Sequence, residues 1–321
     1  MRYLVTGGAG FIGSHLADAL LARGDEVICV DNFNDYYRPE RKQRNIAAAL
    51  SKPGYTLVAG DFRDPVAMEQ LFATYRPQRI AHLGAMAGPR PSVERPLLYE
   101  EVNVRGTVNL LDLARRYDVQ GFVLASTSSV YGQAPTPWSE DLATDRPLSP
   151  YAATKKAAEV LAYTFHYLYA MPTRVVRFFT VYGPRGRPDM TPYVFVDAMV
   201  KHKPITLFNG GVGVYRDWTY VDDIVAGVVA ALDTDIAFDI FNLGNSSPVQ
   251  LCDFITQLEQ VTDLEATIES KPLPAADPPI TYANVEKAQR LLGFAPQTTL
   301  QQGLERFWSW YQDEVLSTKP S

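Results

Sequence analysis

Cysteine is nearly absent from this chain. Its 321 residues hold two, Cys29 and Cys252, with neither a CxxC partner nor a metal-like spacing. That argues against a disulfide framework and a thiolate metal centre, and it points to a reduced, cytoplasmic protein. Histidine is equally sparse. His15, His82, His166 and His202 are scattered without metal spacing, so structural roles and no metal are expected. Basic residues are not in surplus: 30 Lys and Arg face 36 Asp and Glu, for a net charge of −6. Nucleic acid is therefore not an expected partner, and an anionic ligand has to be held by a few local groups. No apolar run is long enough to span a membrane, and the stretch 224–232 reads as a buried helix, so no membrane partner is expected. MRYLVTGG enters a strand pattern at once, and no signal peptide is expected.

What is present is a large apolar fraction, 46%. A chain of this length can build one large or two intimate domains around it. Through the first half, short apolar runs alternate with helical patterns. Residues 2–6, 26–30, 55–59, 79–83, 121–125 and 173–178 read as strands, and 12–21 and 102–117 as helices. Strand and helix in alternation predict an α/β chain with a doubly wound parallel sheet. After Thr180 the rhythm breaks into loops such as GPRGRPDM, GGVG and KPLPAADPPI. Helices return at 191–201, 221–232, 251–261 and 285–292, and 239–243 looks like a strand returning to the sheet. The expected organisation is a first domain over 1–178, with a return near 221–246, and a smaller cap formed by 179–220 and 247–321.

The first turn reads VTGGAGFIGSHLADALLARG. Gly8, Gly10 and Gly13 satisfy G-x-G-x-x-G, and Gly7 precedes them. Glycines suit a tight turn whose backbone approaches a pyrophosphate, and the helix N-terminus then offers free N–H groups and positive dipole. Asp31 ends the next strand, where a carboxylate accepts hydrogen bonds from a ribose and repels a 2′-phosphate. The reading is a Rossmann-type fold that binds NAD in preference to NADP. Asp61, in GDF, either borders the adenine or caps the helix beginning near Pro65.

STSSVYG (126–132) packs four hydroxyl side chains into seven positions without a charge. Beyond it, PYAATK opens a helix on which Tyr151 and Lys155 lie four apart and share a face. A tyrosine base useful near neutrality needs its pKa lowered by about three units, some 4 kcal/mol of differential stabilisation. A neighbouring ammonium and a positive nicotinamide ring carry charge of the right sign.

Together TGGAGFIG, Asp31-Asn32, NVRGTVNLL (103–111), STSSVYG and YAATK resemble the extended short-chain dehydrogenases/reductases that act on sugar nucleotides as epimerases and dehydratases. YVDDIVAGV (220–228) and KAQRLLGFAP (287–296) extend the likeness over nearly the whole chain. DNFNDYYRPERKQRN (31–45) and RFFTVYGPRGRPDM (177–190) are similar to the UDP-glucuronate 4-epimerases. The resemblance implies Tyr151 as base, Lys155 as its partner and Thr127 as proton relay. It implies an NAD site of Gly7, Gly10, Phe11, Ile12, Gly13, Asp31, Asn32, Asp61, Phe62, Leu83 and Ala85, with Tyr151 and Lys155. Arg187 and Arg216 match groups that hold the diphosphate, Asp277 one that contacts the uridine ribose, and Arg90 a further substrate contact. AGPRPS (87–92) departs from the usual pattern at Pro89 and Pro91, and AADPP replaces a Gly-Asp motif.

Relatives that dehydrate the sugar or decarboxylate it carry an acid at or beside the position of Ser129. Here Ser128, Ser129 and Thr180 offer neutral hydroxyls alone, which suits a UDP-glucuronate carboxylate that must be held and not lost. The expected activity is an NAD-dependent 4-epimerisation through a transient 4-ketone, interconverting UDP-glucuronate and UDP-galacturonate. The alternatives are a 4-epimerase for uncharged UDP-hexoses, a UDP-glucuronate decarboxylase, or a non-catalytic NAD-binding protein. The aromatic run YTFHYLY (163–169) and the helix over 103–117 are the expected faces of a homodimer.

Overall fold

The computed structural model describes residues 1–273 and 278–317. Asp277 lies outside these residues. Six strands alternate with helices through the first half: β1 (Arg2–Thr6), β2 (Glu26–Asp31), β3 (Tyr55–Ala59), β4 (Arg79–His82), β5 (Gly121–Thr127) and β6 (Thr173–Phe178). Five further stretches follow as β7 (Thr180–Tyr182), β8 (Ile205–Phe208), β9 (Tyr215–Tyr220), β10 (Phe238–Leu243) and β11 (Pro248–Gln250), and β12 (Ile268–Lys271) is the last.

β1, β5 and β6 are unbroken apolar runs, because helices cover both faces of a parallel sheet. The sheet has seven strands in the order β10-β6-β5-β4-β1-β2-β3, all pairs parallel. The order reverses between β1 and β4, and ligands of such sheets bind at the carboxyl ends of the strands at that point. The expected return strand at 239–243 is β10, which pairs in parallel with β6. The helix Phe11–Ala22 buries Phe11, Leu16, Ala17 and Leu20 and packs against the helix Val221–Asp233. One face of the sheet is thus closed partly by a helix from the second half.

The helix Pro150–Tyr169 starts at Ser149, whose side chain accepts from the Ala152 N–H, with Pro150 in the first turn. Proline and a serine cap suit a helix start, where N–H groups have no partner within the helix. Ala152, Lys155, Ala158, Glu159 and Ala162 are buried, and the small alanines let the helix sit close to β5. Two differences from the sequence reading matter for the site. β5 runs on to Thr127, so the first two hydroxyls of STSSVYG belong to the strand. The helix read at 102–117 begins as a π-turn over Glu101–Arg105 and becomes α-helical from Gly106.

The remainder forms the cap. β9 sits between β7, parallel, and β11, antiparallel, while β8 pairs with β12. Trp218 of β9 stacks on Phe254 at 4.4 Å. Asp217 beside it is fully buried and accepts the N–H groups of Asn245, Ser246 and Ala283 at 2.7, 3.1 and 2.9 Å. One carboxylate therefore ties β9 to two loops. The cap strands are three to six residues long, too short to show periodicity, and their pairing partners are distant in sequence. That is why five of the six strands beyond Phe178 escaped the sequence reading.

Candidate active site

The glycine turn between β1 and its helix is a cradle that side chains would fill. A Cβ on Gly13 would lie 2.2 Å from the Gly7 carbonyl oxygen, and one on Gly7 would lie 2.8 Å from Gly84 Cα. Gly7 also has φ +65°, a conformation glycine adopts without strain. Gly10 caps the helix without a side-chain hydrogen bond, which leaves the first-turn N–H groups to an anion. Gly7, Gly10, Phe11, Ile12, Gly13, Asp31, Asn32, Asp61, Phe62, Leu83, Ala85, Tyr151 and Lys155 all line one cavity of about 380 Å³. A phosphate-sized cradle beside a buried carboxylate fits a dinucleotide.

Asp31 is not a bare carboxylate. It is buried, and Lys42, itself buried, reaches its Oδ1 at 3.0 Å, while the N–H groups of Phe33 and Ala9 donate at 2.9 and 3.3 Å. The repulsion expected of Asp31 toward a 2′-phosphate is therefore offset locally by Lys42, and selectivity falls on hydrogen bonding and shape. Lys42 and Ile46, four apart, form the buried face of the helix Pro39–Ile46, a spacing legible in sequence but not read there. Asp61 accepts from Asn32 at 2.9 Å and from Arg63 at 2.7 and 3.0 Å. Burial pushes its carboxyl up, but the Arg63 bonds outweigh this and bring it down to about 2. The helix cap near Pro65 is Asp64, not Asp61: its side chain accepts from Val66 and Ala67.

At the carboxyl end of β5, Ser129 N–H donates to Thr127 Oγ1 at 3.1 Å, and Thr127 Oγ1 donates to Ser129 Oγ at 3.2 Å. A hydrogen bond joins the Thr127 and Tyr151 side chains. Burial raises the Tyr151 pKa, while the Thr127 bond and the charge of Arg187 lower it. This differs from the sequence reading, which gave the acidifying role on the protein side to Lys155. Burial instead brings the Lys155 ammonium down to about 8, with Glu159, one turn on, pulling it back up. Behind β5, Ser126 Oγ donates to Glu159 Oε1 at 2.6 Å, and Arg177 of β6 grips the same carboxylate at 2.9 and 2.8 Å. This buried pair sits under the catalytic strand, and neither residue was singled out from the sequence.

A second cavity of about 810 Å³ adjoins the first and is lined by Thr127, Ser128, Ser129, Thr180, Arg90, Arg187 and Arg216. Lys271 adds a fourth cation, and Asp189 is the one acid among the described lining residues. Arg90 stacks over the Phe208 ring at 4.9 Å. Arg216 donates to the carbonyls of Tyr215 and Pro279 at 2.8 and 3.1 Å. Arg187 stands at the junction of the two cavities, bidentate to Asp189 at 2.9 and 2.7 Å. Apart from Asp277, every residue singled out for cofactor or sugar thus borders one of two connected cavities at the switch point.

Comparison with known proteins agrees with this geometry. A family model described as GDP-mannose 4,6 dehydratase matches residues 4–307. A UDP-glucuronate 4-epimerase of Thermodesulfobacterium geofontis is 42% identical over 98% of this chain and 97% of its own. UDP-glucuronate 4-epimerase 3 of Arabidopsis thaliana is 43% identical, over 96% of this chain and 76% of its own. The crystal structure of UDP-glucuronic acid 4-epimerase from Bacillus cereus, in complex with UDP-glucuronic acid and NAD, superposes with a TM-score of 0.92 at 34% identity, covering 98% of this chain and 99% of that one. The glycine cradle, the Tyr151–Lys155 helix and the match over nearly the full length agree: this chain belongs to the NAD-dependent epimerase/dehydratase family, with the Rossmann-type fold of the short-chain dehydrogenases/reductases.

Proposed function

We propose that this chain is an NAD-dependent 4-epimerase that interconverts UDP-glucuronate and UDP-galacturonate without decarboxylation. The observation that carries the reading is the make-up of the second cavity. Four cations line it, its one described acid is held by Arg187, and neutral hydroxyls run from Ser128 to the base. Arginines suit a diphosphate through bidentate contacts. Thr127, Ser128, Ser129 and Thr180 hydrogen-bond the sugar carboxylate without protonating it.

NAD, when bound, accepts the sugar hydride and returns it, so no net redox follows. Tyr151 takes the O4 proton, with Thr127 in its relay, and gives the proton back to the product. The 4-ketone formed in between is a β-keto acid, which loses CO2 when the breaking bond aligns with the carbonyl π system. Hydroxyls that pin the carboxylate in another orientation suppress that alignment. Ser129 cannot act as an acid near neutrality, so no second proton transfer is available at that position.

In this reading residues 1–178, with 221–246 returning to the sheet, hold NAD. Residues 179–220 and 247–321 hold the sugar nucleotide, with Arg216 and Arg187 near the diphosphate and Asp277 toward the uridine. A homodimer is part of the proposal. Tyr167 and Leu97 are 75% and 83% exposed, and Val93, Val160, Tyr163 and Leu168 extend this apolar surface on neighbouring helices, the kind of face a second copy covers. No described helix is long and apolar enough to cross a membrane.

The test is product analysis. Purified protein given UDP-glucuronate should yield UDP-galacturonate with neither CO2 nor accumulating NADH. Release of CO2 with a pentose product would identify a decarboxylase. Faster turnover of UDP-glucose on the same preparation would identify an epimerase of neutral hexoses.

A further inference from the structure

Tyr36, in the loop after β2, meets the cap beside the base. Its ring lies under the Arg187 guanidinium at 5.4 Å. Its hydroxyl is 2.9 Å from the Ala87 carbonyl oxygen and 3.1 Å from Asp189 Oδ2. The Tyr99 hydroxyl donates to the same carbonyl at 2.6 Å, and the Tyr99 ring stands edge-on to that of Tyr151 at 6.2 Å. Three segments far apart in sequence therefore close around one guanidinium. Among the described residues, Tyr151 and Arg187 are the ionisable side chains that border both cavities, whereas Lys155 borders the first alone.

We propose that Arg187 is the protein's cation facing the Tyr151 hydroxyl, and that Tyr36 is a positioning residue whose ring holds it there. The inference rests on the reading of Tyr151 as the base. A guanidinium stays charged at every working pH and stacks flat on an aromatic face, which a lysine ammonium does not do. Asp189 completes the clamp from the far side through both guanidinium nitrogens it reaches. The charged and titratable groups around Tyr151 are few. Lys155 and Glu159 lie on its own helix, Arg187 and Asp189 on the cap loop, Tyr99 on the helix Pro96–Glu100, Tyr36 on the loop after β2, and neutral His82 on β4. Of these, Arg187 is the one whose charge lowers the phenol's pKa, while that of Lys155 is itself brought down by burial.

The experiment is a near-ultraviolet phenolate titration of the NAD-saturated protein, read as wild type minus Tyr151→Phe so that the other tyrosines cancel. Arg187→Gln should raise the midpoint by about one pH unit or more, the scale for an opposite charge in contact range. Tyr36→Leu should move it the same way by a smaller amount. Tyr36→Phe, which keeps the ring, should restore the wild-type midpoint. An unchanged midpoint in Arg187→Gln removes Arg187 as the cation. A midpoint that moves in Arg187→Gln but not in Tyr36→Leu removes the positioning role, even if Tyr36→Leu melts at lower temperature. Product analysis separates this from the functional reading: shifted midpoints without UDP-glucuronate turnover would overturn the activity and keep the inference, while normal epimerisation with unmoved midpoints would do the reverse.

Discussion

Glu159→Gln tests the floor of the active site. Glu159 and Arg177 are each 1% exposed at the side chain and joined by two bonds of 2.9 and 2.8 Å, with Ser126 Oγ at 2.6 Å on the same carboxylate. Arg177 also lies over the Tyr131 ring at 4.8 Å, and its Nη1 has no partner. The pair is thus the guanidinium's main compensation. Substituting glutamine keeps the shape and leaves a buried charge uncompensated, which costs about 3–5 kcal/mol. For 321 residues, roughly 2.1 cal/mol/K per residue gives about 0.7 kcal/mol/K, so the melting temperature should fall by about 4–7 °C. Arg177→Met together with Glu159→Leu should recover most of the loss, because no buried charge is then left alone. The same carboxylate holds up the proton affinity of Lys155. In Glu159→Gln the Lys155 ammonium should therefore lose its proton below about 8, its value in the parent, and the alkaline limb of the rate profile should move to lower pH. Differential scanning calorimetry and a pH–rate profile read the two effects. A loss under about 1 kcal/mol, the range of an exposed pair, would refute the reasoning, as would an alkaline limb that stays in place while stability falls.

Tyr151→Phe should abolish turnover and leave NAD binding intact by isothermal titration, since only a hydroxyl is lost. Thr127→Val, which removes the hydroxyl bonded to Tyr151 at similar volume, should slow turnover by about 10- to 100-fold with the melting temperature nearly unchanged. Ser129→Glu supplies an acid beside the base, and headspace analysis should show CO2 that the parent does not release. Asp31→Ala strips the carboxylate from buried Lys42, so it should cost several kcal/mol as well as relax NAD preference, on the order of 3–5 kcal/mol. Adding Lys42→Met should restore the stability but not the preference, measured by thermal melts and by NAD and NADP titrations.

The sheet was legible because its strands are buried on both faces and read as plain apolar runs, and because each lies within a helix's length of the next. The glycine turn was legible for a related reason: a close backbone approach tolerates only one residue type, so the requirement is written locally. The tyrosine and lysine are likewise one helical turn apart. The cap strands, Lys42 beneath Asp31 and the Glu159–Arg177 pair were not read. Each depends on which distant segment comes to lie alongside, and a four-residue strand or a single buried charge leaves no periodic trace.

The sequence by itself determined a parallel sheet with a phosphate cradle at its first turn, a Tyr–Lys helix behind a neutral hydroxyl strand end, and the chemical types around the sugar, because these follow from local spacing and residue chemistry. Only the tertiary structure decided which charges act on which groups. It brings Arg187, 36 residues from Tyr151 in the chain, to the boundary both side chains share, and it turns Lys42 onto Asp31 and Arg177 onto Glu159. Electrostatic coupling depends on distance and burial in three dimensions, and a linear sequence specifies neither until the chain has folded.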